Sequence, residues 1–89
     1  MVPLHTKKFL ARINIMTHKN ILDRQGRVVT ETMSKLGLPE IKDIRIGKHL
    51  DIELTANSMA EAKEMIEKAC KEVLVNEIME FYNYNISEI

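Results

Sequence analysis

The chain has 89 residues, 45% of them hydrophobic, yet holds only two Phe, two Tyr and no Trp. Its 13 basic residues balance 13 acidic ones, which argues against a protein built to grip nucleic-acid backbones. The lone Cys70 excludes an intramolecular disulfide and fits a reducing, cytoplasmic setting, and no apolar run approaches the ~20 residues of a membrane span or the core of a signal peptide.

This length supports one domain, residues 1–89. Its core must come from Ile, Leu, Val and Met, so association with a second copy or a partner is a natural source of added stability. After a loose lead-in over residues 1–6, with Pro3, Lys8 to Met16 alternates. Phe9, Ala11, Ile13 and Ile15 share one face, the pattern of a first strand. Residues 17–20 are polar and turn. His18 has only His5 and His49 as fellows, without metal-ligand spacing, and reads as a solvated loop residue.

Asp23 is placed to cap the first helix by accepting a backbone N–H bond. Val28, Val29, Thr32, Met33 and Leu36 recur at helical spacing as one buried stripe. Gly37 suits the position after the helix, and Pro39 prevents its continuation. From Ile41 to Leu54 the chain alternates again, with Gly47 in the middle. Either a hairpin loop over 47–49 sets Ile46 against Leu50 and Ile44 against Ile52, keeping the apolar face continuous, or one strand bends at Gly47 through a bulge.

Ser58 and Glu61 form the capping box of the second helix. Its apolar stripe is Ala62, Met65, Ile66, Ala69, Cys70, Val73 and Leu74, with Glu67 among the charges on the wet side. Cys70, inside the stripe, reads as a small buried side chain rather than a nucleophile. Asn76 ends the helix, and Tyr82, Tyr84 and Ile86 alternate in a last strand. The order β-α-β-β-α-β predicts a ferredoxin-like α+β fold. That means a four-stranded antiparallel sheet with two helices on one face, self-associating through the sheet.

This layout hosts many activities. The central strands lack the aromatics of an RNA-recognition domain, paired metallochaperone cysteines are absent, and no nucleophile, base and oxyanion donor come together in sequence. Residues alone leave two readings: an oligomerisation or adaptor module, or a stand-alone sensing domain binding an amino acid or nucleotide at a dimer interface.

Three segments carry a resemblance. They are Ile21-Leu22-Asp23-Arg24-Gln25-Gly26, Ile41-Lys42-Asp43-Ile44-Arg45-Ile46-Gly47-Lys48, and Ala69 to Asn76 followed by Glu80-Phe81-Tyr82. In this order, in so short a chain, they resemble the PurS family, the small subunit of phosphoribosylformylglycinamidine synthase. Two positions depart from the family pattern: Arg24 and Glu77 stand where proline is common. The resemblance implies a non-catalytic role in purine synthesis, bridging a large synthetase subunit and a glutaminase subunit so that ammonia passes between them. It also implies a homodimer or homotetramer, no cofactor on this chain, and ATP, magnesium and glutamine used by the partners. Arg45, Gly47, Lys48, Asp23, Gln25 and Asn76 are the residues it suggests for the partner interface.

Overall fold

The structure, a computed structural model, describes residues 6–89. Most of the expected lead-in, with Pro3 and His5, lies outside the described residues. The spine is β1 (Lys7–Thr17), the middle strand of a three-stranded antiparallel sheet flanked by β2 (Lys48–Ala56) and β3 (Glu80–Glu88). Ile13 stands opposite Leu50 on one side and Tyr84 on the other. Period two does in β1 what the sequence requires of it. Phe9, Ala11, Ile13 and Ile15 are buried, while Lys8, Arg12 and Asn14 face solvent. Leu50, Ile52, Tyr82, Tyr84 and Ile86 pack beside that buried row.

α2 (Met59–Ala69) covers the apolar face through Ala62 and Ile66. At its start the Ser58 hydroxyl accepts the Glu61 N–H at 3.2 Å. Its end widens into one π-helical turn, Cys70–Leu74, closed by the Val75 N–H on the Cys70 carbonyl at 3.0 Å. A π turn holds an extra residue and so changes the direction in which the neighbouring side chains point. Cys70 and Val75 stay buried, but Val73, expected inside the stripe, is 80% exposed, and Met65 also opens to solvent.

α1 (Arg24–Lys35) begins and ends where its signals lie. At its C-terminus Gly37 adopts φ +84°, the Leu38 N–H reaches Met33 O at 2.9 Å, and the Gly37 N–H reaches Ser34 O at 3.2 Å. This double closure needs a left-handed residue, which glycine supplies at no steric cost. The apolar stripe of α1 nevertheless covers neither the sheet nor α2. Val28 and Leu36 are 62% and 66% exposed, Val29 and Met33 are half-buried, and Gly26 is the helix's buried residue. Neither the sheet nor α2 packs against it to any extent.

The expected four strands with both helices on one face are therefore corrected to three strands and one covering helix. The absent strand is Ile41–Gly47, which is irregular, so no hairpin turns at 47–49 and Ile44 and Ile46 pair with no strand. The cause is local. The N–H groups of Ile44 and Ile46, donors that a ladder would use, go instead to Thr30 Oγ1 at 2.9 Å and Asp23 Oδ2 at 2.6 Å. The three strands that do form keep the connectivity of the expected first, third and fourth. With α1 and its return segment standing off the sheet, the molecule measures 58 × 26 × 16 Å. Its radius of gyration is 17.8 Å, against about 12 Å for a compact chain of this length.

Candidate subunit interface

The segments around Asp23 and Arg45, some twenty residues apart in sequence, meet at the root of the α1 arm. Asp23 Oδ1 accepts the Gly26 N–H at 2.9 Å, capping α1, while Oδ2 accepts the Ile46 N–H. These two backbone donors, Gly26 first and then Ile46, hold the Asp23 carboxyl below its ordinary value of 3.8, and the nearby Arg45 charge adds to them. Gly26 is glycine because a Cβ there would overlap the Ile44 carbonyl oxygen, and a Cβ on Gly47 would overlap the Ile15 carbonyl oxygen. Close backbone approach, rather than turn geometry, fixes both positions.

Arg45 is directed into its own chain. One terminal guanidinium nitrogen donates to Thr17 O at 2.6 Å, to Thr17 Oγ1 at 3.0 Å and to His18 O at 2.9 Å, and Nε is buried without a partner among the described residues. The arm is thereby tied to the end of β1. His18 is not the solvated loop residue expected. It is half-buried, its ring lies 5.6 Å from that of Phe81, and Nε2 sits 3.2 Å from Glu77 O.

On the opposite wall Lys48 Nζ lies 3.3 Å from Glu80. The other Glu80 oxygen accepts the Asn76 N–H at 3.0 Å. That backbone bond, with Lys48 behind it, keeps the Glu80 carboxyl below its usual range. Asn76 in turn accepts the Ile78 N–H on its side chain at 3.2 Å and the Met79 N–H on its carbonyl at 2.9 Å. Glu77 thus takes the second place of a closed turn, a position proline suits. Arg24 is the first residue of α1, the other helical position that accepts proline.

Of the six residues the sequence suggested, Asp23, Gln25, Gly47 and Lys48 line one cleft of about 400 Å³ with Glu80 at its edge. Asn76 joins through Glu80. Arg45 lies on the far side of the 43–46 segment, lining a second cleft of about 580 Å³ with Lys19, Lys42 and Asp43. Sequence reasoning missed Thr17, Thr30 and Glu80. Their roles depend on backbone groups brought close by the fold, so residue type and spacing carry little signal for them.

A separate polar cluster lies between α2 and β3. Glu67, expected on the wet helix face, accepts the Tyr82 hydroxyl at 2.6 Å on one oxygen and the Tyr84 hydroxyl at 2.8 Å on the other. These bonds lower the Glu67 carboxyl and raise both phenols, Tyr84 to about 12 and Tyr82 further. Burial, then the Glu67 charge, pushes the neighbouring Cys70 thiol up. Among the described residues no group of His, Cys, Asp or Glu is disposed to hold a metal ion, and no helix is long and apolar enough to cross a membrane.

The family model described as PurS, phosphoribosylformylglycinamidine (FGAM) synthase, matches residues 10–88. The PurS subunit of that synthase from Thermotoga maritima is 33% identical over 75 residues, 83% of this chain and 90% of its own. The structure of Thermus thermophilus PurS superposes with a TM-score of 0.78 at 36% identity, covering 92% of this chain and 98% of that one. A structure of PurLQS from Thermotoga maritima contains a chain with a TM-score of 0.77 at 28% identity, with coverage of 92% and 98%.

Proposed function

The chain belongs to the PurS family of FGAM synthase subunits, in purine biosynthesis, and from that membership we propose that it works as a cytoplasmic, non-catalytic bridge within the synthase. The observation that carries this reading is the family match across nearly the whole chain, joined by likeness to a chain of a PurLQS assembly. In the proposed complex a synthetase subunit binds ATP, magnesium and the ribonucleotide, and a glutaminase subunit releases ammonia. This chain binds no cofactor and holds the two in register. A stand-alone sensing domain is not favoured by these relationships.

Self-association is part of the proposal, and we place it at α1 rather than at the sheet. The open sheet face is mixed, with Arg12, Asn14, His49 and Asp51 along it beside Leu10, Met16 and the exposed Phe81, and the His49 ring lies between Asn14 Oδ1 and Asp51 Oδ1 at 2.8 and 2.7 Å. The uncovered apolar face is that of α1, where Val28 and Val29 line a shallow groove with Ile46. A second copy covering α1 supplies the burial that the chain itself lacks. Gln25 and Lys48 then remain for partner contacts, while Asp23, Arg45, Gly47 and Asn76 shape the surface that presents them.

The test is glutamine-dependent amidation by purified synthetase and glutaminase with and without this protein. The expected result is that glutamine-driven turnover requires it while ammonia-driven turnover needs it much less. A protein that alters neither reaction and co-elutes with neither subunit sinks the reading.

A further inference from the structure

The turn that joins the π-helical end of α2 to β3 carries the most exposed large apolar side chain described, Ile78, at 88%. Met79 and Phe81 follow it, exposed, and Val73 precedes it on the π turn. An isolated exposed isoleucine needs no explanation, but this one sits on an unusually well-held backbone. The Ile78 N–H is bound by Asn76 Oδ1, the Met79 N–H by Asn76 O, and the Met79 carbonyl by the His18 N–H at 2.9 Å. The His18 ring reaches Glu77 O, and Arg45 fixes the His18 carbonyl. A rigid backbone presenting an apolar side chain loses little entropy when that side chain is buried by a partner, which is how anchor residues behave.

Charge says what can cover it. Glu72 adjoins Val73 and Glu77 adjoins Ile78 in the chain, and among the described residues neither carboxylate has an ion-pair partner. Lys71, next to Glu72 in the chain, is within 3.9 Å of Glu67, and Lys48 pairs with Glu80. A second copy meeting this turn across a two-fold axis would bring the same acids against themselves. We propose that the 76–81 turn, with Ile78 as its anchor, is the docking point for a synthase subunit whose receiving surface is an apolar pocket rimmed by basic side chains. The proposal rests on the bridging reading above and names the surface that does the bridging.

The experiment measures affinity of the full-length protein for the purified synthetase and glutaminase subunits, at low and raised salt, for wild type, Ile78→Asp, Ile78→Ser and Glu77→Lys. Each isoleucine variant should weaken binding to one subunit on the order of tenfold or more. Glu77→Lys should weaken it less and flatten its salt dependence. Melting temperature and self-association should stay at wild-type values, because the Ile78 side chain takes no part in the turn's hydrogen bonds. Binding unchanged in both isoleucine variants overturns the proposal, as does loss of self-association in step with partner binding, which would assign the turn to a second copy. Wild-type protein that binds neither subunit removes the bridging reading itself, a result separate from the other two.

Discussion

At the scale of the residue, one carboxylate decides the chemistry of both tyrosines. Glu67 is a half-exposed helix residue, yet each of its oxygens holds a phenol, and the two rings lie stacked with centroids 6.3 Å apart. A phenol that donates to a carboxylate resists ionisation, because the phenolate would lose the bond and face a like charge. Tyr84 is pushed up to about 12 and Tyr82 beyond it, from an ordinary value of 10.0. A folded value raised above the unfolded one stabilises the fold fully below pH 10 and is lost as pH climbs through about 12. The chain has just these two tyrosines, so an ultraviolet absorbance titration reads them without interference. It should show no phenolate forming near pH 10 in the folded protein. Glu67→Gln should bring both titrations back toward 10, and an unchanged profile in that variant would show that burial, not Glu67, holds the protons.

At the scale of the element, the informative contrast is between helix ends, which the sequence announces, and strand membership, which it does not. Asp23, Gly37 and Ser58 act within a few residues of themselves, so their types suffice to identify caps. Ile44 and Ile46 alternate with Arg45 and Gly47 as a strand requires, but pairing is a non-local matter. Thr30 and Asp23 reach the ladder donors before any strand does. Val73 is a similar case: helical spacing puts it in the stripe, and the π turn takes it out. The junction itself was legible only as a set of residue types, since its bonds run from side chains to distant backbone. Its pH response comes from Asp23. A folded value lowered below 3.8 by the Gly26 and Ile46 donors gives stability that is present above about pH 4 and lost as pH falls through the lowered value. Urea unfolding of the wild type should therefore show a midpoint that declines from about pH 4 downward, and Asp23→Ala should remove part of that slope. Equal slopes in the two proteins would mean that the Asp23 bonds do not survive in solution.

At the scale of the whole molecule, an 89-residue chain has left one of its two helices unburied, and the energetics ask what covers it. Fully burying a Val or Leu side chain stabilises by roughly 1.5–3 kcal/mol. Val28 and Leu36, 62% and 66% exposed and counted on two copies that meet through α1, thus contribute on the order of 4–8 kcal/mol. That matches the scale of the ~4–15 kcal/mol lost in rigid-body freedom on association. The surplus must come from the apolar neighbours Leu22 and Ile46, which are also exposed in the single chain. The margin is therefore narrow enough for two charges to abolish it. Val28→Asp with Leu36→Asp should convert an oligomer at micromolar concentration into monomer by sedimentation. Helix content should change little, since the Asp23 cap and the Gly37 closure are untouched. Because each monomer would hold α1 only by its root and the 41–46 segment, the variant's α1 amides should exchange far faster than those of β1. Wild-type protein that sediments as a monomer, or a variant that keeps the oligomer's mass, would mean that α1 is covered by a different surface from a second copy of itself.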